Sequence, residues 1–414
     1  MSIDAHCSTG HVLRFAVVAI VLGLLGLVMV QLGLAQAADR PAAPVRAATA
    51  ATGSGVLIGV SCTSGRSCMA VGTRLTSGPA ESPYTLAEAW NGKAWRVIPT
   101  ANPRSSLGNN LYGVSCSSAR ACMAVGAHNI PHGSVPLAEA WNGKTWTVKV
   151  TPKANDDSWL DNVSCRSAHA CIATGHAIQH GHNNWFSEMW NGRTWTIKPA
   201  PRPNSTSYSS IGGVSCAAGS VCVAAGDYQV DNSSKSRTLA ETWDGKTWTI
   251  HNTPNPQDGV NGSDLNGVSC RSAHACVAVG VYSPPFNGGG QTLAEIWNGR
   301  TWAIKPSRNN PTSTGGSLQG VSCRSAHACM AVGSYVTSSS EGVPLAEAWN
   351  GKSWTIKPVP NPGGATDVLL DSVSCASAHA CVAVGSYFTG QFSPAAPMAE
   401  GWNGKTWTIK QTPL

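Results

Sequence analysis

Short stretches of alternating apolar and polar residues, separated by turn residues, run from residue 55 to residue 414. A side-chain period of two is that of a half-buried β-strand. The clearest stretch is Leu137-Ala138-Glu139-Ala140-Trp141, with Leu137, Glu139 and Trp141 on one face and Ala138 and Ala140 on the other. Asn142-Gly143 follows, and then Lys144-Thr145-Trp146-Thr147-Val148. Asn-Gly between alternating runs predicts a tight hairpin, because a two-residue type I′ turn needs positive φ at both central positions. In that register Trp141 lies opposite Lys144 and Glu139 opposite Trp146.

The hairpin recurs seven times, with tryptophan pairs Trp90/Trp95, Trp141/Trp146, Trp190/Trp195, Trp243/Trp248, Trp297/Trp302, Trp349/Trp354 and Trp402/Trp407. Three further features complete each copy, as in the fifth. Strand a is Leu265-Asn266-Gly267-Val268-Ser269-Cys270, and a polar turn leads to strand b, Cys276-Val277-Ala278-Val279-Gly280. A variable loop reaches strand c, Leu293-Ala294-Glu295-Ile296-Trp297, and the Asn298-Gly299 turn gives strand d, Thr301 to Lys305. A proline-rich connection closes the copy, since proline cannot continue a ladder. Four antiparallel strands in each of seven copies predict an all-β fold, a seven-bladed β-propeller over residues 55–414. One bulky and one small face per hairpin suit blades packed large face on small face.

The copy resembles a kelch repeat, whose strands end in glycine and carry a Glu-x-aromatic pair, a turn and a tryptophan. Gly126, Glu139, Trp141 and Trp146 take those places in the second copy. One glycine instead of two after strand b, Trp instead of Tyr before the turn, and an added cysteine pair depart from the kelch pattern. The hairpin also resembles an Asp-box through Gly245 and Trp248, with Trp243 where the aspartate belongs. The whole is similar to exported bacterial proteins built of Leu-Ala-Glu-x-Trp-Asn-Gly copies. None of these resemblances brings a catalytic residue with it.

Fourteen cysteines fall into seven evenly spaced pairs: Cys62/Cys68, Cys116/Cys122, Cys165/Cys171, Cys216/Cys222, Cys270/Cys276, Cys323/Cys329 and Cys375/Cys381. Zinc sites use tighter spacing and join two pairs, so separate pairs in separate copies predict one disulfide per blade. Closing so short a loop is worth about 2–3 kcal/mol per bridge on the chain-entropy model. The N-terminus agrees with an oxidising destination. Arg14 precedes an apolar run from Phe15 to Leu34 and then Ala35-Gln36-Ala37, so residues 1–37 read as a signal peptide, with retention as an apolar membrane helix the alternative. Residues 38–54 read as a disordered Ala/Thr/Pro linker. Cys7 lies before the apolar run and is no lipid-attachment cysteine.

A net charge of +7 without a basic run or stripe excludes a nucleic-acid footprint. The seven equivalent glutamates (Glu88, Glu139, Glu188, Glu241, Glu295, Glu347 and Glu400) share one environment, whereas catalysis needs a special one, so a hydrogen bond or ion pair with the hairpin lysine or backbone is expected. The repeated tryptophans read as cement between blades. The turns between paired cysteines carry Arg66, Arg120, His169, His274, His327 and His379, read as surface residues at hairpin tips.

Function is therefore sought where the copies differ, on the face formed by the long b–c and d–a connections. The third copy departs most. Its b–c stretch, read as a loop from His176 to Trp185, holds His180 and His182, and the connection before it holds Asp156, Asp157, Trp159 and Asp161. His128 and His132 of the second copy are neighbours. Trp159 and Trp185, the two tryptophans outside the pairs, together with the aspartates, are candidates for stacking a sugar or peptide. The five histidines are candidates for a late first-row metal. No nucleophile elbow, phosphate loop, metalloprotease pattern or Ser-His-Asp order is present, and no cofactor is implied. The expectation is a secreted or cell-surface monomer without catalysis, binding an extracellular protein or glycan. The alternative is an extracellular polysaccharide hydrolase or lyase working through the third copy.

Overall fold

The computed structural model describes residues 54–75, 83–103, 107–155, 157–179, 182–203, 208–217, 221–229, 235–256, 261–285, 289–310, 313–391 and 393–414. The expected export segment and all of the expected linker except Ser54 lie outside these residues. The rest is a seven-bladed β-propeller. Each of seven four-stranded antiparallel sheets uses four consecutive strands in the order a-b-c-d. Among the described residues no helix is long and apolar enough to cross a membrane.

Alternation along strand c places large and small side chains on opposite faces, and the blades use both. Met69, Val71 and Ala87 of blade 1 pack on Leu111, Val114, Cys122, Ala124, Leu137 and Trp146 of blade 2. The same arrangement closes the ring, where Val382, Val384 and Ala399 of blade 7 meet Leu57, Val60, Cys68, Ala70, Leu86 and Trp95 of blade 1. Leu414 is buried in that seam, and the Gly55 N–H donates across it to the Ala395 carbonyl at 2.9 Å. No blade is shared between the two ends of the chain.

Seven disulfides join strands a and b, one per blade: Cys62–Cys68, Cys116–Cys122, Cys165–Cys171, Cys216–Cys222, Cys270–Cys276, Cys323–Cys329 and Cys375–Cys381. The paired cysteines oppose each other directly, with Cα atoms 3.9 to 4.0 Å apart. These bridges are more than the local staples that their spacing suggests. The strand-b partner in every blade (Cys68, Cys122, Cys171, Cys222, Cys276, Cys329 and Cys381) is buried and belongs to the core cluster between its blade and the preceding one. The disulfides are therefore part of the apolar packing between blades. Spacing showed the pairing but not this burial, which depends on the neighbouring blade.

The serine before the first cysteine of each pair has its own task. The Ser61 hydroxyl accepts the backbone N–H of Cys116, and Ser115, Ser164, Ser215, Ser269, Ser322 and Ser374 accept in turn from Cys165, Cys216, Cys270, Cys323, Cys375 and Cys62, all at 2.8 to 3.0 Å. The innermost strands, having no ladder partner on the axial side, are thus tied into a closed ring by side chains.

Strand a carries a bulge that the alternation did not reveal. Beside the strand-b glycine one residue of each strand a, Ile58, Tyr112, Asp161, Gly212, Asn266, Gln319 or Asp371, is skipped in the pairing. The strand-b glycine faces that bulge. A Cβ on Gly126 would sit 2.0 Å from the Asn110 carbonyl oxygen, so only glycine fits.

The c–d turn differs from the expected two-residue hairpin. Trp141 pairs with Trp146 and Glu139 with Val148, leaving four residues in the loop. The Asn142 side-chain oxygen accepts the N–H groups of Lys144 and Thr145, each at 2.9 Å, and only Gly143 has positive φ, at 94°. An Asx turn has replaced the type I′ turn. The two indoles now face each other directly, centroids 5.7 Å apart. The first donates to the a–b turn, Trp141 Nε1–H reaching the Ala119 carbonyl at 3.3 Å, so this uniform face is pinned to itself.

Candidate functional site

The repeat breaks most on the inner strands of blades 2 to 4, at the end bearing the b–c and d–a connections. Strand a of blade 3 (Ser158–Ser167) brings Trp159 and the bulged Asp161. Strand b (Ala170–Gln179) brings His176 opposite Trp159. Strand a of blade 4 (Ser209–Cys216) brings Ser210. Asp161 and His176 are both buried.

Hydrogen bonds join them in one chain. Trp159 Nε1–H donates to Asp161 Oδ1 at 3.1 Å, and His176 Nδ1–H donates to Asp161 Oδ2. The carboxylate fixes the imidazole tautomer, so Nε2 is the atom facing the Ser210 hydroxyl at 3.0 Å. The Trp159 ring lies 5.7 Å from the imidazole. Tyr112, bulged in the neighbouring blade, has its phenol pushed above the ordinary range by burial and then by the Asp161 charge.

The same position can be purely structural. In blade 1 Thr73 stands where His176 does, and it donates to Asn110 Oδ1 of blade 2 at 3.0 Å. Blade 3 keeps this interblade bond but builds it from an oriented imidazole and a hydroxyl. Chemically, Asp161–His176–Ser210 can relay a proton or present fixed donors and acceptors beside the indole.

The other expected site residues are scattered. Of the residues read as a loop from 176 to 185, 176–179 and 182–185 belong instead to strands b (Ala170–Gln179) and c (His182–Trp190), because the ladder continues through them. Trp185 is therefore no loop residue. It is 4 % exposed, packs edge-on against Trp248 at 5.4 Å, and donates Nε1–H to Glu241 Oε1 at 3.2 Å. Asp157 Oδ1 accepts the Ser134 N–H at 3.1 Å. His128 bonds Asn109 at 2.9 Å, while His132 and His182 are exposed. Asp156 and His180 lie outside the described residues. Among the described residues no three His, Cys, Asp or Glu side chains are gathered to hold a metal ion.

Ser210 and Tyr112 were missed because each belongs to a copy adjacent to the one that looked unusual. The signal was available: both fall beside the strand-a leucine or isoleucine, at the ladder levels of Trp159 and Asp161.

The seven glutamates are fully buried, and none meets the hairpin lysine, which the four-residue loop leaves exposed. Burial weakens their acidity. It raises the pKa of Glu88, Glu188, Glu295 and Glu400 to about 8, of Glu241 to about 9 and of Glu347 to about 7. Glu139 is raised by burial too, against an opposing hydrogen bond from the Ala101 N–H at 2.9 Å.

Fold and site define a disulfide-stapled, seven-bladed propeller with a polar cluster at its variable face. The sequence matches no family model and no curated protein. By structure the chain is similar to an ulvan lyase of a polysaccharide-lyase family, bound to -[GlcA(1-4)Rha3S]-, with 11 % identity and a TM-score of 0.57 over 87 % of this chain and 97 % of that one. It is also similar to an acylaminoacyl peptidase from Pyrococcus horikoshii, with 9 % identity and a TM-score of 0.51 over 86 % of this chain and 52 % of that one. A fucose-specific lectin from Aleuria aurantia aligns at 12 % identity and a TM-score of 0.44, over 75 % of this chain and 97 % of the lectin. Such low identities establish the propeller fold alone.

Proposed function

We propose that this chain is an exported, non-catalytic binding module that acts as a monomer and takes an extracellular glycan or protein on its variable face. Its strongest support is the Trp159–Asp161–His176–Ser210 cluster. There, a rigid interblade scaffold holds a half-buried indole beside oriented polar groups, the composition of a site for a polar ligand with an apolar face. Seven disulfides fit an oxidising, extracytoplasmic compartment. The scaffold is one that a polysaccharide lyase also uses, so glycans are the ligands to test first. The purified protein, screened against glycans and cell-wall fragments, is expected to bind without turning them over. Trp159→Ala and Ser210→Ala should each weaken that binding at least tenfold when measured below each variant's own melting transition. Binding that survives both changes would remove the cluster from the ligand site.

The Asp161–His176–Ser210 chain also favours a second reading, an extracellular hydrolase or lyase acting on polysaccharide. His176 Nε2 is then the general base, with Asp161 holding its tautomer. Turnover of any glycan that is abolished by His176→Ala would replace the non-catalytic reading with this one.

A further inference from the structure

A second feature of the variable face lies away from the third copy. In blade 1 strand b (Ser67–Leu75) and strand c (Pro83–Trp90) place Arg74 directly opposite Tyr84. Tyr84 is 45 % exposed and Arg74 is exposed as well. Neither side chain has a polar partner among the described residues. They form one wall of a cleft of about 320 Å³, which Leu86, Val97 and Pro99 continue. Its floor is prearranged. Asn102 Oδ1 accepts the Thr85 N–H at 3.1 Å, and its Nδ2 donates to Thr100 Oγ1 at 2.9 Å. Blade 4 places Tyr228 opposite Arg237 at the same ladder level, but that tyrosine packs against the core between blades 3 and 4, so the exposed pair belongs to blade 1.

An exposed guanidinium beside a phenol ring has a defined chemical complement. The guanidinium fork presents parallel N–H donors to a carboxylate or sulfate, and the ring offers a flat apolar face with a polar edge. An acidic sugar has both parts, an anionic group and an apolar ring face, and the cleft lies in the size range of small-ligand sites. A neutral sugar would leave the guanidinium without a partner, and an apolar ligand would desolvate it. The chain's positive charge attracts the same class of ligand.

We infer that the Arg74–Tyr84 cleft of blade 1 binds anionic sugar residues of an acidic polysaccharide. The inference rests on the reading of the variable face as the ligand face.

Calorimetric titration with oligogalacturonates and their methyl-esterified forms tests it. The acid oligomer is expected to bind at least tenfold tighter than the ester at low salt, with the difference shrinking as ionic strength rises. Arg74→Ala and Tyr84→Ala should each cost at least tenfold, and Arg74→Lys should recover only part, because the charge stays and the fork is lost. Lys352→Ala, which removes one exposed charge from the opposite face, should change nothing. Equal binding of acid and ester, or full binding in an Arg74→Ala/Tyr84→Ala double variant, overturns the inference. Trp159→Ala in parallel separates the two sites. Acid binding lost with Arg74→Ala but kept with Trp159→Ala supports the rim cleft and counts against the central cluster. The reverse pattern overturns the rim cleft and leaves the central cluster standing.

Discussion

Trp185 stands where blades 1 and 4 carry Thr85 and Thr238, one residue before the apolar residue of strand c. Its task is the same as theirs, extended by an indole. Thr85 reaches Glu139 of the next blade at 3.5 Å, and Trp185 reaches Glu241. Trp248 beneath it finds a partner that the other copies lack, donating Nε1–H to the Ser187 hydroxyl at 2.9 Å. A rare residue type therefore marks a repacked interblade contact here, whereas Trp159 marks a half-buried surface position. Trp185→Ala should lower stability by about 3–5 kcal/mol, the range for emptying a large aromatic site. Trp185→Phe should cost less, retaining the ring but not the bond to Glu241. Denaturant unfolding of the two variants distinguishes packing from the hydrogen bond.

At the scale of the element, Asn-Gly predicted a hairpin correctly and its register incorrectly. The Asn142 side chain captures the N–H groups of Lys144 and Thr145, an alternative that a type I′ turn would forgo. A shift of two residues per turn keeps every side chain on its face, so the bulky and small faces survive the change of register. Only Gly143 needs positive φ, and a Cβ there would also lie 2.9 Å from Arg120 Cγ in the a–b turn. Gly143→Ala is therefore expected to cost more than about 1 kcal/mol, against nearly nothing for the exposed Lys144→Ala, as read by thermal unfolding. The third-copy b–c stretch failed as a loop for a related reason. His176 to Gln179 and His182 to Trp185 mix polar and apolar side chains without a regular period of two but still make full ladder pairs, and a pattern that loses its alternation cannot show the pairing.

At the scale of the molecule, the seven buried glutamates make an unusual contribution to pH dependence. Their folded-state pKa values lie above the ordinary value of 4.5, at about 7 to 9 for the six given above. The stability they contribute is fully present below the unfolded pKa and is lost as pH rises through the folded one. Between pH 5 and pH 8 the unfolded chain holds fewer protons on these groups than the folded ring does, so stability falls with rising pH. A single such carboxyl changes stability by about 1.4 kcal/mol per pH unit, and that is taken as the minimum expected slope. The melting temperature should be higher near pH 5 than near pH 8, and Glu295→Gln should flatten the difference. A melting temperature that rises steadily from pH 5 to pH 8 would contradict the assignment of these carboxyls as protonated in the fold.

Blade count, strand order, cysteine pairing and the bulky and small faces follow from the residues of the individual copies, because each is a local property repeated seven times. Period, turn residues and close spacing need no knowledge of what lies beside the chain. Tertiary structure decided everything that joins one copy to the next. Cys171 and Cys222 are paired within their own copies, yet each is buried by residues of the blade before it. Ser61 has its partner in blade 2 and Ser374 has its partner in blade 1, and neither spacing is written in a single repeat. Ser210 completes a cluster begun by Asp161 and His176, and Arg74 acquires its cleft only when strand c lays Tyr84 opposite it. These contacts depend on ring closure and on ladder register, and both are set by packing between blades rather than by the residues of any one copy.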